Sequence, residues 1–165
     1  MIWEDQDNDD IQNLDIRRIA EHKAVKAYER VGRPLIVDAT GLGLKAMNGL
    51  PGGLNSTFWD QLRGTGMCAL VDKLRDRHAY VEDWLCICDG KKLYPLSVKQ
   101  SGTIADSPTG KVPFHIDSIF IPDGCSESLG SLTAAKRDRY SYRARVVEDA
   151  LAKLKDVFDL DWWNG

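Results

Sequence analysis

Little in this 165-residue chain points to a membrane, a metal or a polyanion. No apolar run approaches the ~20 residues that cross a bilayer, and no signal peptide opens the sequence, so it reads as a cytoplasmic protein. Excess positive charge is missing too. Twenty-two lysines and arginines face 25 acids, a formal charge of −3, which excludes a general nucleic-acid binder. Histidine is scarce, and His22, His78 and His115 are too scattered to propose a Ser–His–Asp or Cys–His pair. Of Cys68, Cys86, Cys88 and Cys125, only Cys86 and Cys88 lie close together. Two thiols with no second pair and no nearby histidine make a poor zinc site, so the cysteines read as reduced packing residues. Repeats and low-complexity blocks are also absent.

What is present suits one globular domain over residues 1–165, since 43% of residues are hydrophobic and 28% charged. Residues 1–10 form an acidic, loose start and 159–165 a tail containing Trp162 and Trp163, which either covers the core or docks on a partner. Ile16, Ile19, Ala20, Ala24, Val25 and Tyr28 recur at helical spacing, predicting a helix from Asp15 to Arg30 with Gly32 after its end. Pro34 to Asp38 is a β-branched strand and Phe58 to Leu74 a helix. His78 to Cys88 and Leu93 to Ile104 are two long strands turning at Asp89-Gly90. A shorter strand, Phe114 to Ile121, closes at Pro122-Asp123-Gly124. One last helix runs from Thr133 to Phe158, with a stripe of Arg143, Val146, Val147, Ala150, Leu151, Leu154 and Phe158. This order of elements argues an α/β domain around a mixed, twisted sheet flanked by helices.

Three residues could carry chemistry. Lys23 falls on the inward side of the first helix, where it either snorkels outward or brings an ammonium to a phosphate. Arg143 continues the apolar stripe of the last helix, as a structural ion pair or as a guanidinium reading a carbonyl or phosphate. Asp38 closes a strand, and ligands of open α/β sheets bind at the carboxyl ends of strands. The basic stretch from Lys136 through Arg137 and Arg139 to Arg145 is local and reads equally as a solvated helix face. Gly41-x-Gly43 and Gly49 to Gly53 match neither a dinucleotide fingerprint nor a P-loop and are turns.

Several ordered motifs resemble the inosine triphosphate pyrophosphatase family, the Ham-type enzymes that hydrolyse deaminated purine nucleoside triphosphates. They are Pro34 to Leu42, Gly49 to Gly52, His78-Ala79-Tyr80, Phe114-His115-Ile116-Asp117-Ser118-Ile119-Phe120, Pro122-Asp123-Gly124 and Ser141-Tyr142-Arg143. The resemblance covers roughly residues 10 to 155. It implies that Phe114 stacks on the purine, that Asp117 helps fix the base, and that Ser141, Tyr142 and Arg143 surround its six-position oxygen. An arginine has donors only, so it suits hypoxanthine or xanthine, which present an acceptor where adenine presents an amino group. Lys23 and Arg137 fall where the family places phosphate-binding lysines. Asp38 matches the first acid of a metal-organising pair, and Asp10 matches an upstream metal-binding acid. Mg²⁺ with bound nucleotide is the implied cofactor, and a nucleotide such as dITP or ITP the implied ligand.

The departures set a further expectation. Ala39 stands where the family has its second acid, Ser56 where a basic residue is usual, Tyr142 for a histidine and Ile116 for an aromatic. The likeness begins downstream of the family's opening strand and Thr-x-Asn-x-x-Lys phosphate loop. Losing a metal-organising acid costs orders of magnitude in rate. The expectation is therefore a non-enzyme that binds dITP or ITP as a sensor and signals to a partner effector. In this it resembles the Ham-type subunits found beside sirtuin-like NAD-consuming effectors in Kongming-type anti-phage systems. The alternatives are an active Mg²⁺-dependent pyrophosphatase, in which Asp38 and Asp10 carry metal and base duties, and a structural subunit without nucleotide binding.

Overall fold

The computed structural model describes residues 11–110 and 116–158. The first helix, α1 (Ile16–Val31), begins where Asp15 accepts a hydrogen bond from the Arg17 amide at 3.0 Å. It ends at Gly32, whose left-handed conformation (φ 66°) turns its N–H back to the Tyr28 carbonyl at 2.9 Å. Next come β1 (Leu35–Leu44), a 3₁₀ turn at Lys45–Met47, β2 (Pro51–Gly52) and α2 (Asn55–Leu74). The hairpin of β3 (His78–Cys88) and β4 (Leu93–Ile104) has the expected bounds. At its tip the Asp89 carboxylate accepts the Lys91 and Lys92 amides, each at 2.7 Å. A 3₁₀ turn (Ile116–Ser118), β5 (Phe120–Pro122), α3 (Ala134–Tyr140) and α4 (Tyr142–Phe158) complete the described chain.

The strands form one five-stranded sheet in the order β2-β1-β3-β4-β5. The α/β class is as expected, and every strand pair is antiparallel rather than mixed. Because side chains alternate along a strand, the register sorts them onto two faces. On one face Val37, Ala39, Trp84, Cys86 and Cys88 lie under Ile16, Ile19, Ala20 and Ala24 of α1. The other face carries Leu42, Leu44, Ala79 and Val81, packed with Met67, Cys68 and Val71 of α2 and with Phe120 and Tyr142. Leu85 on that same face meets Val146 and Ala150 of α4. None of the four cysteines is in a disulfide.

Three local expectations need correction. Asp38 does not close a strand; β1 continues through Gly41 and Gly43 to Leu44, so Asp38 is its fourth residue of ten. The glycines make this possible by close approach, because a Cβ at Gly41 would strike Ile16 and one at Gly43 the Tyr80 ring. The last helix is two helices, separated where Ser141 takes extended backbone (φ −74°, ψ 118°). Its hydroxyl accepts the Ala144 amide at 3.2 Å and so starts α4. Of the expected stripe, Val146 and Ala150 are buried but Val147 and Leu151 are exposed, because α4 lies against β3 and β4 along one side only. The strand expected from Phe114 shrinks to β5, and residues 111–115, including Phe114, lie outside the described residues. Among the described residues no helix is long and apolar enough to cross a membrane.

Candidate functional site

The candidate site lies on the sheet face that carries the even-numbered residues of β1. Asp38 and Thr40 point there, opposite Leu85 and Asp83 of β3. Asp38 is exposed. Thr40 donates its hydroxyl to Asp83 at 2.5 Å. At the start of α4, Arg143 donates from Nη1 to both Asp117 oxygens, at 3.1 and 3.3 Å, and the Tyr142 hydroxyl donates to Asp117 at 3.0 Å. Asp117 is brought up by the 3₁₀ turn, and only 7% of its side chain is exposed. Tyr142 is fully buried in the core, while Arg143 stays partly open with its guanidinium 4.5 Å from the Tyr142 ring.

The other expected site residues fall around this pair. Lys23 projects from α1 to β1 and donates its ammonium to the Asp38 carbonyl at 3.2 Å. Along that edge β2 pairs only with Leu42 and Gly43, so the stretch from 35 to 41 has no strand partner on that side among the described residues. Arg137 is partly exposed on α3, and Ser141 is spent on capping α4. Ser56 is exposed in the first turn of α2. Phe114 and Asp10 lie outside the described residues. The structure thus brings Asp117, Tyr142 and Arg143 together as one hydrogen-bonded unit and places Lys23 against the backbone of Asp38.

Asp83 is the residue that sequence reasoning missed. It is 2% exposed, in a row otherwise formed by Val81 and Leu85. An acid at an inward position of an alternating strand was the available signal. Burial pushes its carboxyl up to about 6, while the Thr40 hydrogen bond and the Arg143 charge pull it back down and Asp38 and Asp117 add to the rise. Between the unfolded carboxylate range and pH 6 the native state holds a proton that the unfolded chain has released, so stability falls as pH rises through that window. Asp83→Asn removes this dependence. Urea unfolding should show the variant gaining on the wild type by about 2 kcal/mol between pH 4.5 and pH 7.5.

Among the described residues no group of three or more His, Cys, Asp or Glu side chains could hold a metal. That donor set still suits Mg²⁺ carried by a nucleotide, since Mg²⁺ commonly takes one or two carboxylates and completes its shell with phosphate oxygens and water. Asp38, exposed on the candidate-site face, is a carboxylate of that kind.

An antiparallel sheet clasped by helices on both faces defines an α/β domain, and where the 3₁₀ turn meets the start of α4 a guanidinium is anchored on a buried carboxylate. The profile of the Ham1 family matches residues 2–156, and the chain belongs to that family. A dITP/XTP pyrophosphatase of Saccharolobus solfataricus is 32% identical over 150 residues, spanning 91% of this chain and 76% of the relative. Inosine triphosphate pyrophosphatase 2 of Trypanosoma cruzi is 30% identical over 153 residues, 92% of this chain and 76% of its own length. A HAM1 protein from Coxiella burnetii shares the fold, with a TM-score of 0.77 at 21% identity over 90% of this chain and 81% of that one.

These relatives overturn the expectation of a non-enzyme. The family is one of pyrophosphatases, matched along nearly the whole of this chain. The sensor reading rested on lost catalysis and loses that premise. Ala39 points to the α1 face, in the cluster of Ile16, Ala20 and Cys86, whereas Asp38 and the Asp117–Arg143 pair remain in place.

Proposed function

We propose that this chain is a Mg²⁺-dependent pyrophosphatase that converts deaminated purine nucleoside triphosphates, dITP and XTP foremost, to the monophosphate and pyrophosphate. The observation that carries the reading is Arg143, held by Asp117 in a site whose relatives act on these nucleotides. The Asp117 carboxylate is occupied by Arg143 and Tyr142, so it orients the arginine, and the arginine reads the base. Guanidinium N–H groups match the six-position oxygen of hypoxanthine or xanthine and repel the amino group of adenine. Phe114 supplies the stacking face for the purine. Lys23 and Arg137 answer the charge of the triphosphate. Bound Mg²⁺ would screen the phosphates and polarise the α-phosphorus. Asp38 would hold it and accept the proton of the attacking water as the bond from the α-phosphorus to the bridging oxygen breaks and pyrophosphate leaves, and Asp10 would assist.

The test is pyrophosphate release from dITP, XTP, dATP and dGTP by the purified chain with and without Mg²⁺, with the monophosphate product identified by chromatography. Metal-dependent release from dITP and XTP, well above that from dATP, is the expected result. No release from any of the four would overturn the reading.

A further inference from the structure

The side chain of Asp117 is held by Tyr142 and Arg143, and its backbone is held as well. The Asp117 carbonyl accepts the Gly130 N–H at 2.7 Å, and the Ser118 carbonyl accepts the Thr109 N–H at 2.8 Å. Two chain segments, one following β4 and one between β5 and α3, thus grip consecutive peptide units of the 3₁₀ turn. The approach is close. A Cβ at Gly130 would lie 2.7 Å from the Thr109 carbonyl oxygen and 3.0 Å from that of Asp117. A side-chain bond joins the two segments: the Ser128 hydroxyl, on a residue only 2% exposed, meets the Thr109 hydroxyl at 2.7 Å. Ser131 gives Ser128 a second, longer contact at 3.4 Å. Asp117 can aim a guanidinium no better than its own backbone is fixed, and a recognition group must be held within about 0.5 Å by what supports it.

We propose that Thr109 and Ser128 are positioning residues for base selection. Their hydroxyl–hydroxyl bond fixes the backbone of Asp117 and Ser118 and, through the Asp117 carboxylate, the angle at which Arg143 meets the purine. This rests on the pyrophosphatase reading for its substrate. It adds that selectivity depends on a pair of hydroxyls that act only through Asp117. A bond that merely stiffened the two segments would lower stability and slow every nucleotide alike, because dITP and dATP carry the same triphosphate. A bond that aims Arg143 affects the preferred base most.

The decisive measurement is steady-state kinetics of the wild type, Thr109→Val and Thr109→Ser with dITP and dATP in Mg²⁺. Thr109 is exposed, and valine keeps its shape but not its hydroxyl. For Thr109→Val the dITP-over-dATP ratio of kcat/KM should fall about fivefold, the scale of one neutral hydrogen bond, through a higher KM for dITP more than a lower kcat. Thr109→Ser, which retains the hydroxyl, should hold the wild-type ratio. A ratio that does not fall in Thr109→Val, or that falls equally in Thr109→Ser, overturns the proposal. Should Thr109→Val fail to fold, Ser128→Ala decides in its place by the same ratio. Two unfolded variants would mark the bond as structural and overturn the proposal. A wild type that cleaves neither nucleotide refutes the pyrophosphatase reading alone. Calorimetric binding of dITP and dATP then replaces the rates, with discrimination lost in Thr109→Val and kept in Thr109→Ser supporting the role. Discrimination kept in both variants or lost in both, or no binding of either nucleotide by the wild type, overturns it.

Discussion

Arg143→Ala should lower kcat/KM for dITP by about 10²-fold or more, because it removes a charged hydrogen bond to the base and the group that orients it. The same change strands Asp117. With 7% of its side chain exposed, that carboxylate would keep the Tyr142 hydroxyl alone among the described residues. Breaking a buried ion pair from one side costs about 3–5 kcal/mol. Two readouts therefore move together, nucleotide turnover and the urea midpoint. Arg143→Lys separates them. A lysine restores the charge beside Asp117 and much of the stability, but it cannot offer a planar fork to both the carboxylate and the base, so selectivity for dITP over dATP stays low. If Arg143→Ala turned over dITP like the wild type, Arg143 would be a structural ion pair and nothing more.

Asp38→Asn should reduce kcat for dITP by about 10²–10⁴-fold, the usual contribution of a proton-accepting group. Its effect on stability should be small, within about 0.5 kcal/mol, since the side chain is exposed. The contrast with Arg143→Ala is the point of the pair. One variant loses chemistry in an intact fold, and the other loses recognition and part of the fold together. Binding of dITP without Mg²⁺ should survive in Asp38→Asn, measured by calorimetry. Full activity in that variant would move the proton-accepting role to another residue.

Much of the frame was legible from local pattern. The hairpin of β3 and β4 announces itself by two alternating runs and an Asp-Gly turn, and α1 by apolar spacing between Asp15 and Gly32. These signals work because each depends on residues within a turn or two of one another. The site was less legible. Lys23, Asp117, Tyr142 and Arg143 stand out in the sequence as candidate ligand contacts, Lys23 and Arg143 with a structural alternative each. The fold adds their protein partners: Tyr142 is core, Asp117 bonds Arg143, and Lys23 meets the Asp38 backbone.

From the sequence came the α/β class and the helix and hairpin that bracket the site, and the resemblance to the pyrophosphatase family added the residues expected to read a deaminated purine. The class, helix and hairpin follow from periodicity and turn chemistry, both properties of short segments. Tertiary structure decided the length of β1, the break before α4, the face to which Ala39 turns and the burial of Asp83. Apart from the break, which Ser141 makes locally by capping α4, each is set by a partner distant in sequence. Ile16 and Tyr80 press against glycines of β1, and Thr40 meets Asp83 only because two strands 43 residues apart share a register. Asp117 holds Arg143 only because the chain folds a 3₁₀ turn against the start of α4.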